Sequence, residues 1–331
     1  DVDSDKLIEG AINGMLESLD DEHTMYFDKK SKEEFDSELS GNYYGIGAQI
    51  QLTSDETIKI TKVFDDSPAK KAGLKEEDVF VSVDGTSVKG KSATEVANML
   101  KSDSVKTSTI VVKRNDKELT FKVTKENITL FSVSSEMLDN NGKNVGYLSV
   151  SIFGQKTYSQ FKDALTKLEK QDMDSLIIDL RGNTGGYLST VTNMLEEFID
   201  KGNVIYQIQS SSGVKQYKTV KASDKKYKIV VLIDGGSASA SEIMSAAMKE
   251  VYGATLVGQT TYGKGTVQTT KDLSNGSMIK YTIEKWLTPS GKNIDKEGIT
   301  PDYDVNIGDS YSNSPTKEND MQLKKALDLL K

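Results

Sequence analysis

The amino-terminal stretch has its apolar residues at helical spacing. From residue 6 to residue 19 they recur every three or four positions, at Leu7, Ile8, Ala11, Ile12, Met15, Leu16 and Leu19. This spacing places them on one face of a helix. We therefore predict an N-terminal helical arm, residues 1–42, whose apolar face packs against a later part of the chain.

The next stretch, residues 43–126, has the pattern of a small β-rich domain. Five segments carry the β-branched and aromatic residues and the alternation that are typical of half-buried strands. Two short helical patterns lie between them, at residues 68–73 and 92–101. A segment of this size can fold as an independent domain.

From residue 145 onward, strand patterns and helix patterns alternate. The apolar runs at 175–180 and 228–233 predict buried strands, because both are short and continuous. Helical patterns separate and follow these runs, at residues 155–170, 187–199 and 240–251. Such alternation favours an α/β core with at least partly parallel strands, which we assign to residues 127–331.

Composition narrows the classes of function. The chain of 331 residues has 42 basic and 50 acidic side chains, so its net charge of −8 argues against nucleic acid as a partner. There is no cysteine, which excludes disulfides, thiolate metal sites and cysteine proteases. No apolar run is long enough to span a bilayer, and the chain begins with an aspartate, so we expect that a signal or anchor preceded it.

A serine-rich segment at residues 237–242 is the first candidate for chemistry. It follows a buried strand and an Asp-Gly-Gly turn, and it leads into a helical pattern. Ser239 is thereby placed at a helix N-terminus, where free amides and the helix dipole favour negative charge. Taken alone, the segment is more typical of ordinary N-cap serines. With His23 as the single histidine, a serine nucleophile here would need another base.

Lys264 is the candidate base. It lies between Gly263 and Gly265, just before a strand-like segment, and in an extended chain its side chain would point to the same side as those of Thr266 and Gln268. A lysine acts as a base only if its pKa falls well below ~10.4, which requires burial away from carboxylates. No acidic residue occurs between residues 259 and 271. Taken alone, this lysine is more typical of a solvated surface residue.

A glycine-rich turn at residues 179–186 supports an anionic site. It follows a buried strand and precedes a helical pattern, an arrangement that presents backbone amides to an anion. A phosphate-binding loop is a weak alternative, because the Gly-Lys-Ser/Thr ending is missing. We expect structural roles for Asp179 and Arg181, as an ion pair that shapes the turn, and for His23, because it lies in the arm.

These segments, read together, resemble the carboxyl-terminal processing proteases, which are tail-specific serine peptidases with a PDZ domain and a Ser/Lys dyad. The matching motifs occur in order at residues 19–26 (Leu-Asp-Asp-Glu-His-Thr-Met-Tyr), 45–48 (Gly-Ile-Gly-Ala), 67–74, 83–85, 179–186 (Asp-Leu-Arg-Gly-Asn-Thr-Gly-Gly), 236–242, 262–268 (Tyr-Gly-Lys-Gly-Thr-Val-Gln) and 298–302. Glu22 and Thr184 stand where the family usually has proline, and Glu77 stands where it usually has glycine.

The resemblance implies a fold and a mechanism. The fold is an α/β core of the crotonase and Clp protease type, with a β-rich PDZ domain inserted between it and the helical arm. Ser239 would be the nucleophile, Lys264 the general base and Gln268 the residue that orients the lysine. The amides of Gly185 and Ala240 would form the oxyanion hole, and no metal or cofactor would be needed.

The PDZ motif has a physical interpretation of its own. Amides of Gly45, Ile46 and Gly47 can converge on a terminal carboxylate, and the strand that begins at Ala48 can accept a peptide as an added strand. The expected partners are proteins or peptides with free apolar C-termini. The resemblance also implies a homodimer and an extracytoplasmic location, with membrane contact only through an upstream anchor.

Three alternatives stay open at this point. The glycines at 45–47 would also suit a simple hairpin. A catalytically silent PDZ scaffold would bind peptides without cleaving them, and it would not need Lys264 and Gln268 on one strand face. A crotonase-like acyl-CoA enzyme would share the core, but it needs carboxylates for proton transfer and has no use for a PDZ domain.

Overall fold

The computed structural model describes residues 3–101, 105–313 and 316–331, and the chain forms two compact units. The core unit combines Asp1–Gly41 with Phe131–Lys331. The inserted unit is Asn42–Leu130, which interrupts the core unit in sequence. Among the described residues, no helix has both the length and the apolar character needed to cross a membrane.

The amino-terminal segment consists of α1 (Ser4–Glu17), β1 (Met25–Phe27) and α2 (Lys29–Ser40). The predicted helix is confirmed, but the expected packing of its apolar face is wrong for this chain. Leu7 is 62% exposed and Met15 is 64% exposed, so the described residues leave most of this face uncovered. Asp28 caps α2 by accepting a hydrogen bond from the Ser31 amide at 2.6 Å.

The inserted unit is β-rich, as predicted. Its elements are β2 (Asn42–Gly45), β3 (Ala48–Leu52), β4 (Ile58–Val63), α3 (Pro68–Ala72), β5 (Val79–Val83), β6 (Thr86–Ser87), α4 (Ala93–Lys101), β7 (Thr107–Arg114), β8 (Lys117–Thr124) and β9 (Glu126–Thr129). The main sheet has the order β3-β4-β5-β7-β8, with β6 paired to β5, and β2 pairs with β9. Both predicted helices are present. Glu77 adopts φ 73°, the left-handed conformation that a glycine takes up without strain.

The remaining elements belong to the core unit. They are β10 (Val133–Asn140), β11 (Lys143–Val150), α5 (Thr157–Glu169), β12 (Ser175–Asp179), α6 (Leu188–Leu195), β13 (Val204–Ser210), β14 (Gly213–Lys218), β15 (Lys228–Ile233), α7 (Ala240–Ala247), β16 (Thr255–Gly258), β17 (Thr266–Asp272), β18 (Met278–Leu287), β19 (Tyr303–Asp304), α8 (Asp309–Asn313) and α9 (Met321–Leu329). After α7 the chain continues as a π-helix, Met248–Tyr252, which ends at Gly253.

The main sheet of the core unit has the order β10-β11-β12-β15-β16-β19. The pairs from β11 to β19 are parallel, and β10 is antiparallel to β11, so the predicted α/β core is confirmed. Leu176, Ile177 and Ile178 are fully buried, as expected for a strand that is covered on both faces. Because β12 and β15 are parallel neighbours, the turns that follow them lie at the same edge of the sheet.

A second, antiparallel sheet brings the amino-terminal segment to the core. Its order is β1-β18-β13-β14, and β17 pairs with β18 as well. Met25 of β1 and Thr270 of β17 are both paired with Lys280 of β18. The segment before β1 therefore lies in the same sheet region as the strand that follows Lys264.

Candidate active site

Ser239 occupies the turn between β15 and α7. Its backbone has φ 54° and ψ −113°, a conformation that costs a non-glycine residue about 1–3 kcal/mol and that clusters at active sites. The hydroxyls of Ser237 and Ser241 are fully buried and donate to the carbonyls of Leu180 at 2.9 Å and Asn183 at 2.7 Å. Only Ser239 of the three is partly exposed, so it is the serine that a substrate can reach.

The glycine turn after β12 packs directly on this serine. A Cβ atom on Gly185 would lie 2.8 Å from the Cβ of Ser239 and 3.1 Å from the amide nitrogen of Ala240. Gly185 also has φ 109°, so both the close approach and the backbone conformation require glycine. The buried Asn183 fixes the turn, since its side-chain amide donates to the Val150 carbonyl at 2.8 Å.

Within the residues that the structure describes, one of the two amides expected to form the oxyanion hole is free to donate a hydrogen bond and the other already donates one. Ala240 is the first residue of α7, and among the described residues its amide donates to no protein acceptor, as helix geometry leads one to expect. The Gly185 amide, in contrast, donates to the side-chain oxygen of Asn183 at 2.9 Å. The short asparagine side chain reaches the amide two residues ahead, which is a common local turn.

Lys264 has a tightly fixed backbone. Its amide donates to Glu242 Oε2 at 2.9 Å, and its carbonyl accepts from the indole nitrogen of Trp286 at 2.6 Å. The flanking glycines leave no room for side chains, because a Cβ atom on Gly265 would lie 2.7 Å from that of Asp295. The Gly-Lys-Gly pattern is therefore a packing requirement.

The electrostatic surroundings favour a neutral amine on Lys264. Burial lowers the pKa of Lys264, and the positive charge of Lys280 lowers it further. The carboxylates of Asp21, Glu242 and Glu22 act in the opposite direction but do not overcome this effect. A lysine with a lowered pKa can act as a general base near neutral pH.

Glu242 is the residue of this candidate site that the sequence analysis missed. It is fully buried, and its two oxygens accept four hydrogen bonds, from Thr261 Oγ1 (2.6 Å) and from the amides of Gly263 (2.7 Å), Lys264 (2.9 Å) and Ser239 (2.8 Å). Burial raises its pKa, although these hydrogen bonds work against the rise. In the sequence, the Ser-x-x-Glu spacing of a capping box could have identified this glutamate.

Gln268 lies on β17, and its side-chain nitrogen donates to Thr266 Oγ1 at 2.8 Å and to Thr282 Oγ1 at 3.2 Å. Thr266 and Gln268 thus point to the same side, as predicted. In the described part of the chain, Gln268 forms no hydrogen bond with the Lys264 amine.

The amino-terminal segment contributes to the same region. The positive charge of Lys264 lowers the pKa of His23, although burial of the imidazole is the larger cause. The pairing of β1 with β18 brings this part of the arm into the electrostatic range of Lys264, and a structural role for His23 stays a prediction. Asp21 holds the segment by accepting from the amide of His23 at 3.1 Å and from Thr24 Oγ1 at 2.6 Å.

The predicted ion pair beside the site is present. Arg181 contacts Asp179 at 2.6 Å, and it also contacts Asp320, the N-cap of α9, at 2.8 Å. All three side chains are largely buried. This cluster ties the glycine turn to the carboxyl-terminal helix.

The predicted peptide-binding residues lie together in the inserted unit. Gly45 ends β2 and Ala48 begins β3, while the buried Ile46 accepts a hydrogen bond from the Ala69 amide at 2.8 Å. Gly47 has φ 76°, and a Cβ atom there would lie within 2.3 Å of the Ser67 Cβ, so the turn requires glycine.

Comparison with protein families matches all three parts of the chain. The model of peptidase family S41 matches residues 144–305, and that of the PDZ domain matches residues 44–124. The model of the N-terminal domain of the activating protease CtpB matches residues 1–31.

Comparison with individual proteins agrees. The chain is 38% identical to the carboxy-terminal processing protease CtpB of Bacillus subtilis, over 98% of this chain and 67% of that protein. It is also 38% identical to CtpA of the same organism, over 97% and 68% of the respective chains. Among solved structures, the photosystem II D1 C-terminal processing protease is similar with a TM-score of 0.56 and 29% identity, over 90% of this chain and 81% of that one. The chain belongs to the carboxy-terminal processing proteases, serine endopeptidases of family S41 with a PDZ domain.

Proposed function

We propose that this serine endopeptidase cleaves its protein substrates with a dyad of Ser239 and Lys264. The main support is that one oxygen of the buried Glu242 accepts hydrogen bonds from the backbone amides of both residues. The nucleophile and the base are thus anchored to the same atom. The lowered pKa of Lys264, caused first by burial, suits it to the role of base.

The proposed reaction is an acyl transfer. The neutral Lys264 amine accepts the Ser239 hydroxyl proton while Oγ attacks the scissile carbonyl carbon. The carbonyl oxygen becomes an oxyanion, which the Ala240 amide stabilises. Gly185 supplies a second donor if its amide is shared between Asn183 and the oxyanion. Lys264 then protonates the departing amine, and water releases the acyl group by the same steps.

Gln268 is proposed as a positioning residue for the lysine. Its nitrogen is bonded to two threonine hydroxyls, which fixes the orientation of the amide and leaves its oxygen as the acceptor available to an amine. Such an acceptor would hold the Lys264 amine without adding a charge, so that the pKa of the lysine stays low.

The dyad is tested with Ser239→Ala and Lys264→Ala. We expect each to reduce cleavage of casein at least about a thousandfold, as is typical when a nucleophile or its base is removed. The fold should persist, because the bonds of both residues to Glu242 come from the backbone. Lys271→Ala, an exposed lysine on β17, is the matched control and should retain full activity. Retention of more than a tenth of the activity in Lys264→Ala would contradict the dyad.

We further propose that the inserted unit selects substrates with a free apolar C-terminus at residues 45–48. The support is a glycine turn with a left-handed Gly47, placed at the start of a strand that can accept an added strand. Cleavage of a peptide with a free terminal valine should be faster than that of its amidated twin. Equal rates would contradict this selection.

An extracytoplasmic location and a homodimer complete the proposal. The exposed apolar face of α1 is a surface that a second copy could cover, and the similarity to CtpA and CtpB of Bacillus subtilis is consistent with a bacterial envelope protease. Sedimentation of the purified chain tests the dimer directly.

A further inference from the structure

Tyr43 lies over the glycine turn of the inserted unit. This residue belongs to β2, two positions before Gly45, and a Cβ atom added to Gly45 would meet the tyrosine ring at 2.5 Å. Lys101, at the end of α4, places its ammonium 5.6 Å from the centre of the same ring, within cation–π range. The ring therefore packs against Gly45 and lies within range of the Lys101 ammonium.

The Tyr43 hydroxyl reaches the amides of this turn. Its oxygen accepts hydrogen bonds from the backbone amides of Gly47 and Ala48, and these bonds lower the pKa of Tyr43 although burial, the larger effect, raises it. The hydroxyl therefore stays protonated and neutral at physiological pH. Among the amides of residues 45–48, these two are the donors at which the turn meets β3.

We propose that Tyr43 is an internal competitor of the peptide, whose hydroxyl occupies the carboxylate-binding turn until a peptide C-terminus displaces it. The inference rests on the proposed peptide selection at residues 45–48. A carboxylate forms stronger hydrogen bonds to amides than a neutral phenol does, so a free C-terminus can replace the hydroxyl. A neutral terminal amide exchanges one neutral acceptor for another and gains nothing. Tyr43 thereby lowers the affinity for charged and uncharged termini by the same factor, and the preference for a free carboxylate comes from the amides themselves.

Lys101 would support the exchange. Its positive charge, close to the ring of Tyr43, attracts an arriving carboxylate and is not screened by a carboxylate in any ion pair found among the described residues. Displacement of the phenol would not require unfolding of β2, because the strand stays paired with β9 through its backbone.

The test is binding of a labelled peptide to the whole chain, measured by fluorescence anisotropy. The protein carries Ser239→Ala so that the peptide is not cleaved. One decapeptide ends in a free valine and its twin ends in valine amide. Tyr43→Phe keeps the ring and removes only the oxygen that occupies the turn, and Tyr44→Phe, on the opposite side of β2, is the matched control.

We expect Tyr43→Phe to bind the valine amide peptide and the free valine peptide about tenfold more tightly, the factor for two neutral hydrogen bonds that need no longer be broken. The Tyr44→Phe variant should bind as the parent does. The role of Tyr43 would be overturned if Tyr43→Phe bound both peptides no more tightly than the parent does. In that case, the proposed peptide selection would still stand if the parent prefers the free carboxylate. If neither parent nor variant prefers the free carboxylate, both proposals fail.

Discussion

Two helices of this protein begin with the same local pattern, Ser-x-x-Glu, and differ in what surrounds it. In the inserted unit, Glu95 accepts from the amide of Ser92 at 2.8 Å, and the Glu95 amide donates to the Ser92 hydroxyl at 3.2 Å. In the core unit, Glu242 accepts from the amide of Ser239 in the same way, at 2.8 Å. Glu95 is exposed, whereas Glu242 is fully buried and accepts three further hydrogen bonds.

The two glutamates illustrate how surroundings change the use of one motif. The hydrogen bond from the Ser92 amide lowers the pKa of Glu95, while burial raises the pKa of Glu242. An exposed cap stabilises one helix end by about 1 kcal/mol. A buried carboxylate needs hydrogen-bond donors to replace the water it has lost. Here the donors come from both segments of the proposed dyad. The first glutamate stabilises a helix end, and the second connects the two segments of the proposed dyad.

Among substitutions in the two Ser-x-x-Glu motifs, the largest effect should follow from Glu242→Gln. The amide group of glutamine would face N–H or O–H donors whichever way it is turned, so at least one pair of donors loses its acceptor. We expect kcat to fall about a hundredfold and the thermal midpoint to drop, because both the geometry of the dyad and a buried hydrogen-bond network are damaged. Steady-state kinetics on a casein-derived peptide and thermal unfolding measure the two effects.

Glu95→Gln is the control for this substitution. It introduces the same chemical change into the same motif, but at an exposed site. Its kcat should equal that of the parent. If Glu242→Gln kept normal kcat, or if Glu95→Gln lost activity to the same extent, the contrast between the two motifs would have no functional meaning.

A smaller effect concerns the pH at which the base becomes active. Because its pKa is lowered, Lys264 is neutral in a larger fraction of molecules at a given pH than an exposed lysine would be. Since the neutral amine is the proposed base, activity should rise as the pH increases through that pKa. Lys280 lowers the pKa of Lys264, and Asp21, Glu22 and Glu242 raise it. Lys280→Met should therefore move the rise in kcat/KM to higher pH.

Asp21→Asn provides the opposite change and should move the rise to lower pH. His23, which also lies within electrostatic range of Lys264, is kept unchanged in both variants. A pH profile that shifts in the same direction for both substitutions would show that Lys264 is not the titrating base.

The smallest effect is expected from Ser92→Ala. Loss of the hydroxyl that caps α4 should reduce the free energy of unfolding by about 1 kcal/mol, measured by urea titration. Activity on casein should not change. A destabilisation well above 2 kcal/mol would mean that this exposed cap does more than hold a helix end.

The sequence predicted the elements that local patterns define. The helices at residues 68–73 and 92–101, the buried strand at 228–233 and the parallel core all agree with the structure. The packing of α1 was predicted wrongly, since an apolar face indicates that a surface is covered but not which molecule covers it. The hydrogen bond between Gly185 and Asn183 also escaped prediction, because glycine turns of one sequence can direct their amides in more than one way.

By itself, the sequence determined which residues are proposed to carry the chemistry: a serine at a helix N-terminus, a lysine between two glycines and the backbone amides of two glycine turns. Spacing and residue type are local properties, and they survive in any fold that keeps the segments intact. Only the tertiary structure decided that Glu242 anchors both Ser239 and Lys264, and that the segment with Asp21 and His23 reaches the lysine. Burial and charge at a site depend on contacts between segments more than 200 residues apart, and these exist only once the strands have paired.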